Sequence, residues 1–519
     1  MLATAALLCS LAVAHGWVGL MPTPRSALQQ TSASSASSRF RRRRAAERAT
    51  CCPLMGAKDN WIWGKVASGG GMPTPAAQAF SMEKELKLGV LLLNLGGPER
   101  QEDVEPFLYN LFADPDIIRL PRLIRWMQGP IAKLLSSRRA PQSKSAYESI
   151  GGGSPIVTWT NAQADGIAAE LHAKGLTSAK CYVGMRYWHP FTEAALKAIE
   201  DDGVNALVIL PLYPQFSIST SGSSLRVLNE EFTRRPEQWG QKHVVHTVVP
   251  SYHDRPGYVN AMANLVAKEL AQFTPQQRRE GVQVLFSAHG VPRSYIDAGD
   301  PYKGQVEACV RLISEQVDQI NAGGGPDAKP GTVGASTGAV SYHLSYQSRV
   351  GPVEWLRPYT DSKINELAEK GCRNLVVVPV SFVSEHIETL EEIDMEYREL
   401  AEEAGIVNWR RVPALNTDPA FIEDMANLVL EALALPTLTV SEAFTRNNCD
   451  RKESDGLLER LLQDTLYPQS GSEGGKDQES EMRKSETAKA LSTLGGAAFA
   501  VDGVGREIAN MFPSDGVFF

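Results

Sequence analysis

Glu388, Glu392 and Glu396 recur at intervals of four, just beyond Ser384-Glu385-His386 and a Val-rich run from Leu375 to Val383. Residues four apart share a helical face, so these carboxylates repel one another unless protons or a cation pass among them. An ideal helix drifts ~40° with each such step. A π-bulge, a feature common at functional sites, would hold the three in line. Ser384 is suited to N-cap this helix, which would place Glu385, His386 and Glu388 in its first turn. The bland alternative is a solvated acidic face with Ile387, Leu390 and Ile393 packed inward. Location favours chemistry: Leu375–Val383 reads as a buried parallel strand, and ligands in open α/β sheets bind beyond the carboxyl ends of strands.

A second constellation follows another buried strand, Gly281 to Ser287, in Ala288-His289-Gly290-Val291-Pro292. A lone histidine there is commonly structural. Gly290 and Pro292 add a turn that would present the imidazole at the strand tip. A neutral imidazole in that position can ligate a metal or accept a proton near neutral pH. His289 and Glu388 would meet in a cleft if their two strands are neighbours.

SAHGVP around His289 and VSEHIETLEEID around Glu388 resemble the two signature segments of ferrochelatases, the terminal enzymes of heme synthesis. The resemblance extends in order through LGVLLLNLGGPE (88–99), LFADPDIIRLP (111–121), YESIGGGSPI (147–156), VGMRYWHPFTEAAL (183–196), LPLYPQFSISTSGSSL (210–225) and SYQSRVGPVEWLRPYTD (345–361). It covers roughly Leu86 to Leu435. It implies ferrous iron and protoporphyrin IX as substrates, with no permanently bound cofactor. Insertion must strip two pyrrolic protons while iron sheds water, and a cleft that bends the macrocycle helps both. His289 is then the candidate pyrrole base with a role in metal contact, and Glu388 the candidate for orienting His386 or contacting iron. Burial should raise the Glu388 pKa and the helix N-terminus lower it. Glu392 and Glu396 would relay protons or metal. Two rivals share the fold: another tetrapyrrole metal chelatase, and a non-catalytic tetrapyrrole carrier, which would have lost His289 or Glu388.

Strand-like runs (88–95, 205–212, 243–249, 282–287, 332–335, 375–383) alternate with helical stretches (192–202, 257–272, 302–320, 361–370, 386–404, 419–434). That alternation predicts an α/β protein with parallel sheets flanked by helices. The resemblance makes these two Rossmann-like, chelatase-type lobes, 81–254 and 255–435, with the porphyrin cleft between them. It also implies substrate contacts. Leu95 follows the first strand in NLGGP, which lacks the G-x-G-x-x-G of a dinucleotide site. Ser154 ends a Gly-rich loop that lacks the Lys of a P-loop and reads equally as a turn before a helix. Arg186 follows a short strand and would border the pocket, or merely pair with an acid. Tyr213 supplies the flat apolar surface a macrocycle needs. Arg138 and Arg139, with Tyr147, would form a lip whose guanidiniums hold propionates bidentately. Trp355 would sit at the pocket.

Residues 1–80 lie outside the resemblance. Leu2 to Ala14 is apolar like a secretory signal, and Arg25 to Arg48 is rich in Ser and Arg like a transit peptide. Such a bipartite leader predicts import into a plastid, with the mitochondrion as alternative. Residues 1–50 carry seven Arg and one Glu, a net of +6, so with −8 overall the remainder is −14. An acidic body argues against nucleic-acid binding. The cysteines include no C-x-x-C pair, and only Cys449 lies beyond Pro436, so no zinc site, disulfide framework or iron–sulfur cluster is expected. The extension 436–519 is expected to be partly disordered. Its apolar stretch Ala490–Val501 is too short to span a bilayer, which needs ~20 residues, but suits peripheral association with a membrane or partner. Oligomeric state is left open.

Overall fold

Uninterrupted runs of Leu, Val and Ile form strands buried on both faces, as parallel sheets require. The computed structural model describes residues 86–446, apart from 119, 121, 241–242, 324–339, 350–352 and 436. In the first half, β1 (Leu88–Asn94) and β3 (Ala206–Pro211) are wholly buried and central, with β2 (Lys180–Met185) and β4 (Val245–Val248) at the edges. All pair in parallel, in the order β2-β1-β3-β4. The second half repeats this winding with β5 (Val282–His289), β6 (Val340–Gln347), β7 (Asn374–Pro379) and β8 (Asn408–Arg411), in the order β6-β5-β7-β8. Helices cross over between the strands, so the chain is an α/β protein with two like-wound, four-stranded lobes.

Three local expectations change. The strand expected at 332–335 lies outside the described residues, and the fourth strand of the second sheet is β6, further along. The expected run to Val383 ends at Pro379, because Phe382 N–H turns back toward the Pro379 carbonyl (3.4 Å). Ser384 does not cap a helix: regular helix starts only at Ile387, and the Ser384 hydroxyl donates instead to Gln163 Oε1 (3.2 Å).

The Gly-rich loop is a close-packing device. An added Cβ at Gly153 would stand 2.1 Å from the Glu99 carbonyl oxygen, and Ser154 N–H donates to the Pro98 carbonyl (2.7 Å). The loop thereby fastens the helix Gln128–Ser149, the lip, beside the segment that leaves β1.

Side-chain amides of the first half reach carbonyls of the second, beyond the ends of β7 and β8, and a phenol of the second half shares one of them. Gln215 Nε2 and Tyr258 Oη both donate to the Val380 carbonyl (3.2 Å each), and Gln163 Nε2 donates to the Asn416 carbonyl (2.9 Å). Buried Arg255 grips Asp424 (2.8 Å) and Glu431 (2.6 Å) of the helix Pro419–Ala434. Beyond that helix the chain returns to the first lobe. Val248 N–H donates to the Leu438 carbonyl (2.8 Å), and Val440 and Ala443 join the core around Trp239 and Phe232.

Val440 is 1% exposed, so Val440→Asp would force a carboxylate into that core without a partner. A loss of about 4 kcal/mol is expected, read as a Tm lower by roughly 5–10 °C. An unchanged Tm would mean that the returning segment adds nothing to the fold.

Candidate functional site

The two strands whose ends carry chemistry are neighbours: β5 pairs with β7, with Ser287 opposite Pro379. The sheet therefore delivers His289 and the segment after β7 to the same edge. His289 N–H donates to Ser381 Oγ (3.1 Å), and Tyr302 Oη donates to the His289 carbonyl (2.8 Å), which fixes the backbone. Gly290 is needed for close approach, since a Cβ there would meet the Gln347 carbonyl oxygen at 2.8 Å and Trp355 at 3.1 Å. Trp355 and Phe382 stand edge-on to the imidazole, with centroids 6.5 and 6.3 Å away.

The acidic ladder is a π-helix over Glu388–Tyr397, the geometry that would hold i, i+4 carboxylates in line. Its start is set by the preceding residues. Glu385 accepts from Arg411 Nη1 (2.7 Å), Ala414 N–H (3.0 Å) and the Thr389 hydroxyl, and Glu385 N–H donates to Asn416 Oδ1 (2.9 Å). Held this way, the chain at Glu385 and His386 does not coil.

Glu388 is fully buried. Its Oε2 lies 3.0 Å from His289 Nδ1, within reach of Gln347 Nε2 (3.4 Å) and Ser348 Oγ (3.3 Å). Its Oε1 is buried with no hydrogen-bond partner among the described residues, and His386 Nε2 stands 4.0 Å from it, beyond hydrogen-bond reach. Burial pushes the Glu388 carboxyl up, but the charge and hydrogen bond of His289, then His386, outweigh it and hold the pKa below the ordinary value. The two histidines oppose the rise that burial was expected to cause. Burial lowers the His386 pKa, against the pull of Glu388.

One turn on, Glu392 is also buried, yet it titrates the opposite way. Ser348 N–H (3.0 Å) and Tyr397 Oη (2.6 Å) donate to Oε1, and Gln347 Nε2 (3.0 Å) and Ser348 Oγ (2.6 Å) to Oε2. Burial and the neighbouring charge of Glu388 nevertheless raise its pKa to about 8. The ladder then opens to solvent. Glu396 is exposed and lines a separate groove with Glu391, Glu399 and Arg139, where burial and Glu396 push Glu391 up to about 7.

His289 and His386 line a cleft with about 620 Å³ of empty space, floored by Leu95, Ile156, Leu212, Tyr213, Val291 and Phe382. Leu95 and Tyr213 thus line this cleft, and the Trp355 ring stands beside His289. Other expected contacts lie elsewhere. Arg186 is engaged by Asp114 (2.6 Å) and Ser223 (2.8 Å) and does not line the cleft, so its acid-pairing alternative holds. Ser154 is spent on the Gly-rich turn. Arg138 points to solvent, and Arg139 faces the outer groove. Tyr147 is buried, close enough for the charge of Glu388 to raise its pKa further after burial. Sequence reasoning missed Tyr302, Ser381, Gln347, Ser348 and Tyr397. Gln347 and Ser348 lie inside a quoted motif, and their position at the end of β6, next to β5, was the available signal.

A family profile described as Ferrochelatase matches residues 87–433. The chain belongs to the ferrochelatase family. It is 57% identical over 348 residues to ferrochelatase-2, chloroplastic, of Oryza sativa subsp. indica, and 55% identical over 351 residues to its namesake in Arabidopsis thaliana. These alignments cover 67% of this chain, and the chain spans 62% and 64% of those two relatives. A ferrochelatase of Cyanothece sp. is 51% identical over 390 residues, 75% of this chain and 90% of that protein.

The ferrochelatase-family site makes a pH-dependent prediction. With Glu392 raised in the folded state, the folded protein keeps a proton that the unfolded chain has lost. Its contribution to stability therefore falls as pH rises from the ordinary carboxylate range through about 8. Glu392→Gln removes that dependence. Its Tm relative to the parent should improve by roughly 2–6 °C between about pH 5 and about pH 9. A parent–variant difference that stays flat across this range would contradict the raised pKa.

Proposed function

We propose that the protein inserts ferrous iron into protoporphyrin IX. The observation that carries this is Glu388: a fully buried carboxylate, charged because His289 faces it, whose second oxygen has no donor. Such an oxygen is ordinarily satisfied, and a cation in transit is the partner that suits it. The cleft alongside is lined by aliphatic side chains together with the rings of Tyr213 and Phe382, surroundings that suit an apolar macrocycle. Relatives named as ferrochelatases support the same reading.

In the proposed mechanism iron is a substrate, and no resident cofactor is invoked. The porphyrin loses two pyrrolic protons as the metal enters. His289, entering this step as a neutral imidazole on the cleft wall, accepts one, and the imidazolium so formed is the charge that Glu388 faces at 3.0 Å. Glu388 Oε1 offers the approaching cation an anionic ligand that replaces lost water. Glu392, its pKa raised to about 8, can exchange its proton as the charge on Glu388 changes, and Tyr397 Oη lies 2.6 Å from it. Plastid residence is part of the proposal, supported by relatives named as chloroplastic. The leader at 1–80 and the stretch Ala490–Val501 lie outside the described residues.

Anaerobic incubation with protoporphyrin and ferrous iron, following the fluorescence that metallation quenches, tests the activity. His289→Ala and Glu388→Gln should each lower kcat by about 10³ while porphyrin affinity changes little. Exposed Glu396 should tolerate Gln with a loss of no more than about threefold. Near-normal turnover by His289→Ala would overturn the proposal, and equal small effects throughout would leave the ladder a structural network without a part in the chemistry.

A further inference from the structure

Ser348 carries a left-handed backbone, φ 60°, at a buried position just beyond β6. Residues with a Cβ rarely adopt this conformation, whereas glycine does so freely, and such outliers cluster at functional sites. The strain has a geometric result. It turns both the backbone N–H and the hydroxyl of Ser348 toward the π-helix, where they donate to the two oxygens of Glu392 (3.0 and 2.6 Å). The same hydroxyl lies 3.3 Å from Glu388 Oε2. Glycine would present the N–H without strain, so what the position gains from serine is the hydroxyl.

The contacts around Glu388 are one-sided. Three polar groups converge on Oε2: His289 Nδ1 at 3.0 Å, Ser348 Oγ at 3.3 Å and Gln347 Nε2 at 3.4 Å. None meets Oε1. A carboxylate gripped through one oxygen is fixed in rotation, and its free oxygen points one way.

We propose that Ser348 is a positioning residue for metal insertion. Its hydroxyl stands between the two carboxyl groups, 2.6 Å from Glu392 Oε2 and 3.3 Å from Glu388 Oε2, and with Gln347 fixes the rotation of Glu388 so that Oε2 stays against His289 and Oε1 stays free for the incoming cation. This rests on the insertion activity proposed above and adds the device that aims its anionic ligand.

Three proteins test it: the full chain, Ser348→Gly and Ser348→Ala. Each is assayed for Tm, for porphyrin affinity and for steady-state insertion with ferrous iron and protoporphyrin varied separately. Glycine suits the left-handed backbone, so Ser348→Gly should keep a Tm at or above that of the parent. It should nonetheless lose about tenfold in kcat, as expected when one hydrogen bond of the carboxyl network is removed, with the KM for protoporphyrin unchanged. Ser348→Ala should show the same loss of kcat with a lower Tm. A role confined to folding predicts the reverse, with Ser348→Gly as active as the parent, and that result overturns the inference. Should Ser348→Gly fail to fold, the kcat of Ser348→Ala decides in its place. A parent that inserts no iron removes the functional reading and this inference with it. An active parent with an equally active Ser348→Gly removes only the inference.

Discussion

A carboxylate with no access to water stays charged only if something positive or donating is brought to it, and the second lobe is organised around doing so for Glu388. The imidazole of His289 is delivered by β5 and the carboxylate by the segment after β7. The parallel pairing of those strands sets their 3.0 Å contact. Loss of this contact would leave burial opposed by His386 and Ser348 alone, and the Glu388 pKa would rise. Much nearby structure protects the contact. Tyr302 and Ser381 hold the His289 backbone, Gly290 lets β6 and Trp355 close in, and Arg411 holds Glu385 so that the π-helix begins with Glu388 in place.

The π-helix turns one residue type into three environments. Glu388 faces a histidine and is held below the ordinary carboxylate range; Glu392 faces Glu388 across shared donors and is raised to about 8; Glu396 reaches solvent. Neighbouring titratable groups driven apart in this way are the usual mark of acid–base chemistry. The gradient from a charged, buried oxygen beside the cleft to a solvated end fits a path for protons or cations. A merely solvated face would not bury two of its three members.

Much of this was legible in the sequence because it depends on local rules. Valine-rich runs ending in turn residues located β5 and β7, the spacing of Glu388, Glu392 and Glu396 anticipated a π-helical face, and the shared sheet explained how His289 could meet Glu388. What escaped depended on partners distant in the chain. Arg186 looked like a pocket residue until Asp114, 72 residues earlier, was placed against it. Ser384 had the chemistry of an N-cap, but Arg411 and Asn416 hold Glu385 in a non-helical path. Ser348 gave no sign of a left-handed backbone, because that conformation is imposed by its contacts and not by serine's own preference. Nor did anything after Pro436 announce that Val440 would join the core of the first lobe.

The central claim is that His289 and Glu388 act as one unit, and a double-mutant cycle on kcat/KM measures that directly. His289→Ala, Glu388→Gln and the double variant would be compared with the parent under identical anaerobic conditions. Groups that act as a unit lose their joint contribution once either is gone. The double variant should therefore be no slower than the worse single variant, within about threefold. Losses that multiply, giving a double variant slower by the product of the two single effects, would show that the residues work independently and would contradict this account.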